Sequence, residues 1–201
     1  MKRPYRNIVI AYHLIWTAYG RWLPNDPRGS TSRMIATDVI AELGELHYGR
    51  KRIQPAGWVI LDFYDRAKDV LKFELLTFTP GQIRIIAESF ANLTNGHPYT
   101  CYACAILPDH VHVVIRKHKR TAEQMIEDLQ EASRIQLQKT GQRTGHPVWG
   151  GPGWKVFLFH PDEVRRTIKY VNDNPMKMRL PRQDWEFVQE YDGWPLHKNR
   201  R

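Results

Sequence analysis

A chain of 201 residues, 42% hydrophobic, can bury a proper core, and 11% aromatic residues are too many for a disordered protein. Two cysteines exclude a disulfide scaffold, and a formal charge of +9 points to a polyanionic partner, nucleic acid before membrane. Ile8–Trp16 is too short and β-branched to span a bilayer, and Met1–Arg6 lacks signal-peptide character, so the expectation is one cytoplasmic domain over 1–201.

Residues 8–17 form an apolar run of strand length that reads as a central strand buried on both faces. His13 interrupts it, either as a hydrogen-bonded core histidine or in support of a nearby site. Residues 20–33 hold two prolines, two glycines and Asn-Asp, hence a loop. Arg21, Trp22, Arg28 and Arg33 decorate it. They are open to two readings, a nucleic-acid-contacting loop or a plain surface loop. Residues 34–80 read as an insertion. Thr37–His47 suggests a short helix, Trp58–Leu61 and Leu75–Phe78 strands or short helices, and Gly49–Arg52 a solvated basic run.

Thr79-Pro80-Gly81 opens a helix with Ile83, Ile86, Ala87 and Phe90 on one face, and Asn95-Gly96 ends it. Tyr99–Leu107 and His110–Arg116 read as strands joined by Pro108-Asp109 into a tight hairpin. Thr121-x-x-Gln124 is a capping box, opening a helix to about Lys139. Gly145–Trp154 is a glycine-rich loop with two tryptophans and without the lysine or spacing of a P-loop. Lys155–Phe159 is a short strand, Pro161 to about Asn174 a helix, and Lys198–Arg201 a basic tail. With 34–80 set aside, the order is an α+β, β-α-β-β-α-β core.

Two features carry chemistry. His110 and His112 sit two apart on a strand, so both imidazoles project from one face and make half of a metal site. Two partly exposed strand histidines is the other reading. On the last helix Val164, Ile168 and Val171 should face the sheet, while Arg166, Tyr170 and Asn174 form a flanking stripe. Asn174 precedes Pro175, so the helix should end or kink there. Its amide oxygen is a reasonable third ligand for a hard divalent ion beside two imidazoles. Tyr170 would then lie one turn from the metal, as a nucleophile or as an amphipathic residue with a wet hydroxyl. Arg166 suits a phosphate oxygen or plain solvent. Cys101 and Cys104 read as core residues. A zinc site joining them to the histidines is awkward, because strand alternation places the two cysteines on opposite faces.

Pro108-Asp109-His110-Val111-His112 resembles the His-hydrophobic-His motif of the HUH endonucleases. Ile168-Lys169-Tyr170-Val171-Asn172-Asp173-Asn174-Pro175 resembles the single-tyrosine helix of the HUH transposases of small insertion sequences. Tyr12–Trp16 resembles their first strand. The Asn-Pro after the tyrosine and the Trp149 loop are most similar to the REP-associated tyrosine transposase branch. The resemblance covers residues 8–19 and about 81–178. It implies a ferredoxin-like antiparallel sheet with helices on one face, and cleavage of single-stranded or hairpin DNA with Mg²⁺ or Mn²⁺. His110, His112 and Asn174 would bind the metal, and Tyr170 would form a 5′-phosphotyrosine link. Asp109 stands where Asn is common, Asn174 where many members have Gln, and the 34–80 insertion is larger than in minimal members. A monomer or homodimer is expected. The alternative is a non-cutting protein that grips single-stranded or hairpin nucleic acid.

Overall fold

In the chain's first strand, β1 (Ala11–Thr17), side chains alternate between two buried faces. The computed structural model describes residues 8–30, 32–49, 51–142 and 145–195. Met1–Arg6, Arg50 and the tail at 198–201 lie outside the described residues. The elements after β1 are helices α1 (Asp38–Ala41), α2 (Gly57–Val70) and α3 (Pro80–Gly96), then strands β2 (Cys101–Ile106) and β3 (His110–Arg116). They are followed by α4 (Ala122–Lys139), β4 (Trp154–Leu158) and α5 (Pro161–Lys177).

The four strands form one sheet in the order β2-β3-β1-β4, every neighbouring pair antiparallel. That is the order a split β-α-β-β-α-β core gives. β2 and β3 are joined as the expected hairpin, with Leu107 N–H donating to the His110 carbonyl at 2.8 Å. Capping boxes open α3 (Thr79 with Gln82) and α4 (Thr121 with Gln124). Both helices pack on one face of the sheet. There Leu14, Trp16, Ile106, Val113 and Ile115 meet Ile86, Phe90, Met125 and Leu129 in the main apolar core.

α5 occupies the opposite face. Val164 and Val171 are buried against Ala103, Ala105 and Val114, and Ile168 packs at their edge, as the helical spacing predicts. Two expectations need correction. First, α5 does not end at Asn174: it runs to Lys177 with Pro175 inside it. Inside a helix proline gives up its own N–H bond and crowds the carbonyl four residues back. Burial of Pro175, with Met178 N–H closing the last turn on the Asn174 and Pro175 carbonyls, carries the helix through. Second, Cys101 and Cys104 share a face. The register shifts between Cys101 and Ala103, and this bulge turns both thiols into the main core. Burial pushes the Cys101 thiol up to about 12. Zinc shared with the strand histidines is still ruled out, because His110 and His112 project from the other face.

Trp58–Leu61 takes the helical of its two readings, within α2, Leu75–Phe78 forms neither strand nor helix, and Thr37–His47 holds only the short α1. Leu43, Phe63, Tyr64 and Ala67 make a small cluster of their own there. It is joined to the 20–30 loop through Asp26, which is wholly buried. The Asp26 carboxylate accepts bonds from Arg28 Nη2 at 2.7 Å and Tyr64 Oη at 2.5 Å. Among the described residues no helix is long and apolar enough to cross a membrane.

Candidate active site

Strand parity builds the site. In the β1–β3 register His13 opposes Val114, Ile15 opposes His112, and Thr17 opposes His110. His13, His110 and His112 therefore share the face that α5 covers. His110 and His112 lie edge to face, ring centroids 4.9 Å apart. His13 Nε2 and His112 Nδ1 are joined by a hydrogen bond of 2.9 Å. His110 Nδ1–H donates to the Asp109 carboxylate at 2.6 Å.

Each strand histidine thus has its Nδ1 fixed by a partner. An imidazole oriented this way through one nitrogen offers the other as a ligand. Burial lowers His112 well below the ordinary imidazole value, helped by the charges of His110, His13 and Lys177. Burial alone brings His13 down to about 4. Both rings are neutral at physiological pH, the form that binds a metal. Burial opposes ionisation of Asp109, but the His110 hydrogen bond and the charges of His110, Arg21 and Arg28 outweigh it and hold the carboxyl low.

α5 completes the cluster. Its start is fixed where Phe159 and His160 N–H groups donate to Glu163 Oε2 at 2.7 and 3.2 Å. The Tyr170 ring stands edge-on to His112 at 5.6 Å and to His13 at 6.0 Å. Tyr170 is 38% exposed, so a ligand in solvent can reach it. Asn174, one turn on, is 8% exposed, and its buried Nδ2 has no hydrogen-bond partner among the described residues. An orphaned buried amide leaves hydrogen-bonding capacity unspent. The amide's oxygen and nitrogen exchange places on a flip of its last torsion, so the oxygen can equally take that place. By donor type, the imidazoles of His110 and His112 and the amide oxygen of Asn174 would suit a divalent cation. Lys177 Nζ lies 4.5 Å from the Tyr170 ring centroid.

The structure brings His110, His112 and Tyr170 together, with Asn174 one turn on from Tyr170 along α5. Arg166 is exposed one turn before Tyr170 on the same stripe. Trp22 reaches the site's edge, its ring 6.3 Å from His110. Arg21 and Arg28 lie near enough to Asp109 to act on its charge. Both also hold the loop together. Arg21 Nε donates to the Leu76 carbonyl at 3.1 Å, and Arg28 stacks on Trp22 at 3.8 Å besides pairing with Asp26. His13 is the residue whose part sequence reasoning left open. The signal was a histidine in a central strand, and only the pairing register shows which neighbour it meets. A groove of about 740 Å³ on the other flank of α5, lined by Ile168, Asn172 and Met176, does not include Tyr170.

No protein-family model and no curated protein matches the chain. Among solved structures, it is similar to a REP-associated tyrosine transposase bound to a REP hairpin, with 10% identity and a TM-score of 0.45 over 88% of this chain and 74% of that one. It is also similar to a protein from Deinococcus radiodurans described as a transposase, with 13% identity and a TM-score of 0.38 over 86% of this chain and 95% of that one.

Proposed function

We propose that the protein is a metal-dependent single-strand DNA endonuclease and strand transferase, a transposase that works through Tyr170. The observation that carries this reading is the Tyr170 ring held against His112 and His13, with Asn174 one turn away. A binding protein has no use for a half-exposed tyrosine over two oriented imidazoles.

The Tyr170 oxygen attacks a phosphodiester phosphorus as its proton leaves to solvent. The P–O3′ bond breaks, the departing strand keeps a 3′-OH, and a 5′-phosphotyrosine link remains. Attack by a 3′-OH on that link reverses the step and joins new ends without ATP. His110, His112 and Asn174 would hold Mg²⁺ or Mn²⁺, which would supply neutralisation of the phosphate charge. Arg166 holds a phosphate oxygen beside the nucleophile. Arg21, Trp22 and Arg28 line the approach on the His110 side. The partner is single-stranded or hairpin DNA, which the charge of +9 attracts.

The test is a denaturing gel of protein with labelled single strands from the DNA flanking its own gene, with Mg²⁺ or EDTA. The expected result is a metal-dependent covalent protein–DNA band that Tyr170→Phe loses while still binding the strands. A covalent band that survives in Tyr170→Phe removes Tyr170 as nucleophile. Tight binding with no band in the parent makes the protein the non-cutting binder.

A further inference from the structure

The histidine face of the sheet is only half covered. α5 lies over β2 and β3. Ala11, His13 and Leu158 on the β1–β4 half are buried, but its other end stays open: Trp154 and Val156 are 36% and 38% exposed, and Ile15 is half-buried. The register continues the site straight across this open end. Ala105 opposes His112, His112 opposes Ile15, and Ile15 opposes Trp154. Val156 opposes His13 in the next row. Trp154 therefore lies on the site's own face, two strands or roughly 10 Å from His112.

The glycine-rich loop is what sends a tryptophan there. Gly153 has φ +80°, and a Cβ on it would lie 2.8 Å from the Ile15 carbonyl oxygen. Only glycine lets the loop run this close to β1. The loop's first tryptophan, Trp149, goes into the core, its Nε1–H donating to the Gln130 carbonyl at 3.0 Å. The second, Trp154, emerges on the opposite face and stays open. The wall above it is α5, whose Arg166, Tyr170 and Lys177 are all exposed along the stripe that looks toward β1.

We propose that the open end of the β1–β4 half, formed by Ile15, Trp154 and Val156, is a base-stacking platform, with Trp154 stacking a base of the single strand whose phosphate lies at Tyr170. This rests on the nucleic-acid reading above. A floor of tryptophan, isoleucine and valine beside a wall of arginine and lysine matches a strand that offers an aromatic face and a phosphate side by side. A four-stranded sheet face that stacks bases on its aromatics is a known physical solution to single-strand recognition. A second copy of the chain fits less well, because it brings the same net charge of +9 toward a basic wall.

The test measures binding of the full chain, in EDTA, to a fluorescent oligothymidylate and to a base-free analogue with the same sugar-phosphate backbone. Trp154→Ala should weaken oligothymidylate roughly 5- to 150-fold, the loss of one aromatic–base stack, and leave the base-free analogue unchanged. Trp154→Phe should stay within about threefold of the parent, since a smaller ring still stacks. The salt slope should not change, because stacking releases no counterions. Equal oligothymidylate binding by parent and Trp154→Ala overturns the platform alone. Equal losses on both ligands overturn it too. A parent dimer that Trp154→Ala splits into monomers on sedimentation assigns the face to a second copy. Absence of salt-dependent binding by the parent refutes the nucleic-acid reading itself, and the platform with it.

Discussion

His13→Ala separates a structural histidine from a positioning one. His13 bonds His112 Nδ1 at 2.9 Å, and both side chains are buried. Truncation leaves His112 Nδ1 without a partner in the dry interior, at a stability cost of about 1–3 kcal/mol. If His13 also fixes the ring so that Nε2 aims at a metal, losing it weakens metal binding about 10- to 100-fold. That corresponds to about 1.4–2.8 kcal/mol. The two costs are read separately. Urea unfolding in EDTA reports the first, and calorimetric Mn²⁺ titration of the folded variant reports the second. His13→Asn returns a hydrogen-bonding amide and should recover most of the metal affinity while remaining less stable than the parent. A His13→Ala protein that is folded and binds Mn²⁺ as tightly as the parent refutes the positioning argument, whatever its stability.

Asp26→Ala should destabilise the chain by about 3 kcal/mol or more in urea unfolding, because it strands the Arg28 guanidinium and the Tyr64 hydroxyl in the lobe; a change under about 1 kcal/mol would show the pair to be dispensable. Gly153→Ala should cost about 2 kcal/mol or more, from its positive φ and the Ile15 carbonyl in its path, and an unchanged melting temperature would contradict the close approach. Arg166→Ala should reduce the salt slope of single-strand binding by about 0.7 while keeping the fold, and an unaltered slope removes Arg166 from the phosphate contacts.

Much of this arrangement was legible before any coordinates. β-branched runs and caps act locally, so β3, α3 and α4 lie where periodicity and the Thr121 box put them. Two stripes, one of period two and one of period near four, left room for Tyr170 to meet the strand histidines, and the packing of α5 is what brings it to His112. What stayed hidden depended on partners distant in sequence. The bulge at Cys101–Ala103 is set by pairing with β3, and the passage of α5 through Pro175 by burial of that proline. The His13–His112 bond spans ninety-nine positions. The residues of α2 carried too mixed a pattern to choose between helix and strand, because that helix packs only on a small cluster.

The sheet divides the molecule by task as well as by space. The main apolar core, with α3 and α4, lies wholly behind it, while the histidines, Tyr170 and the open tryptophan lie in front. Most of the apolar packing thus lies away from the chemistry, with only the smaller cluster around Val164 and Val171 sharing its face. A lineage of such chains can drift in its rear helices and stay folded, and can exchange what stands on the front without rebuilding its foundation. Natural variation should therefore sort by strand parity. Inward positions should vary in volume alone, and frontal ones in chemical type.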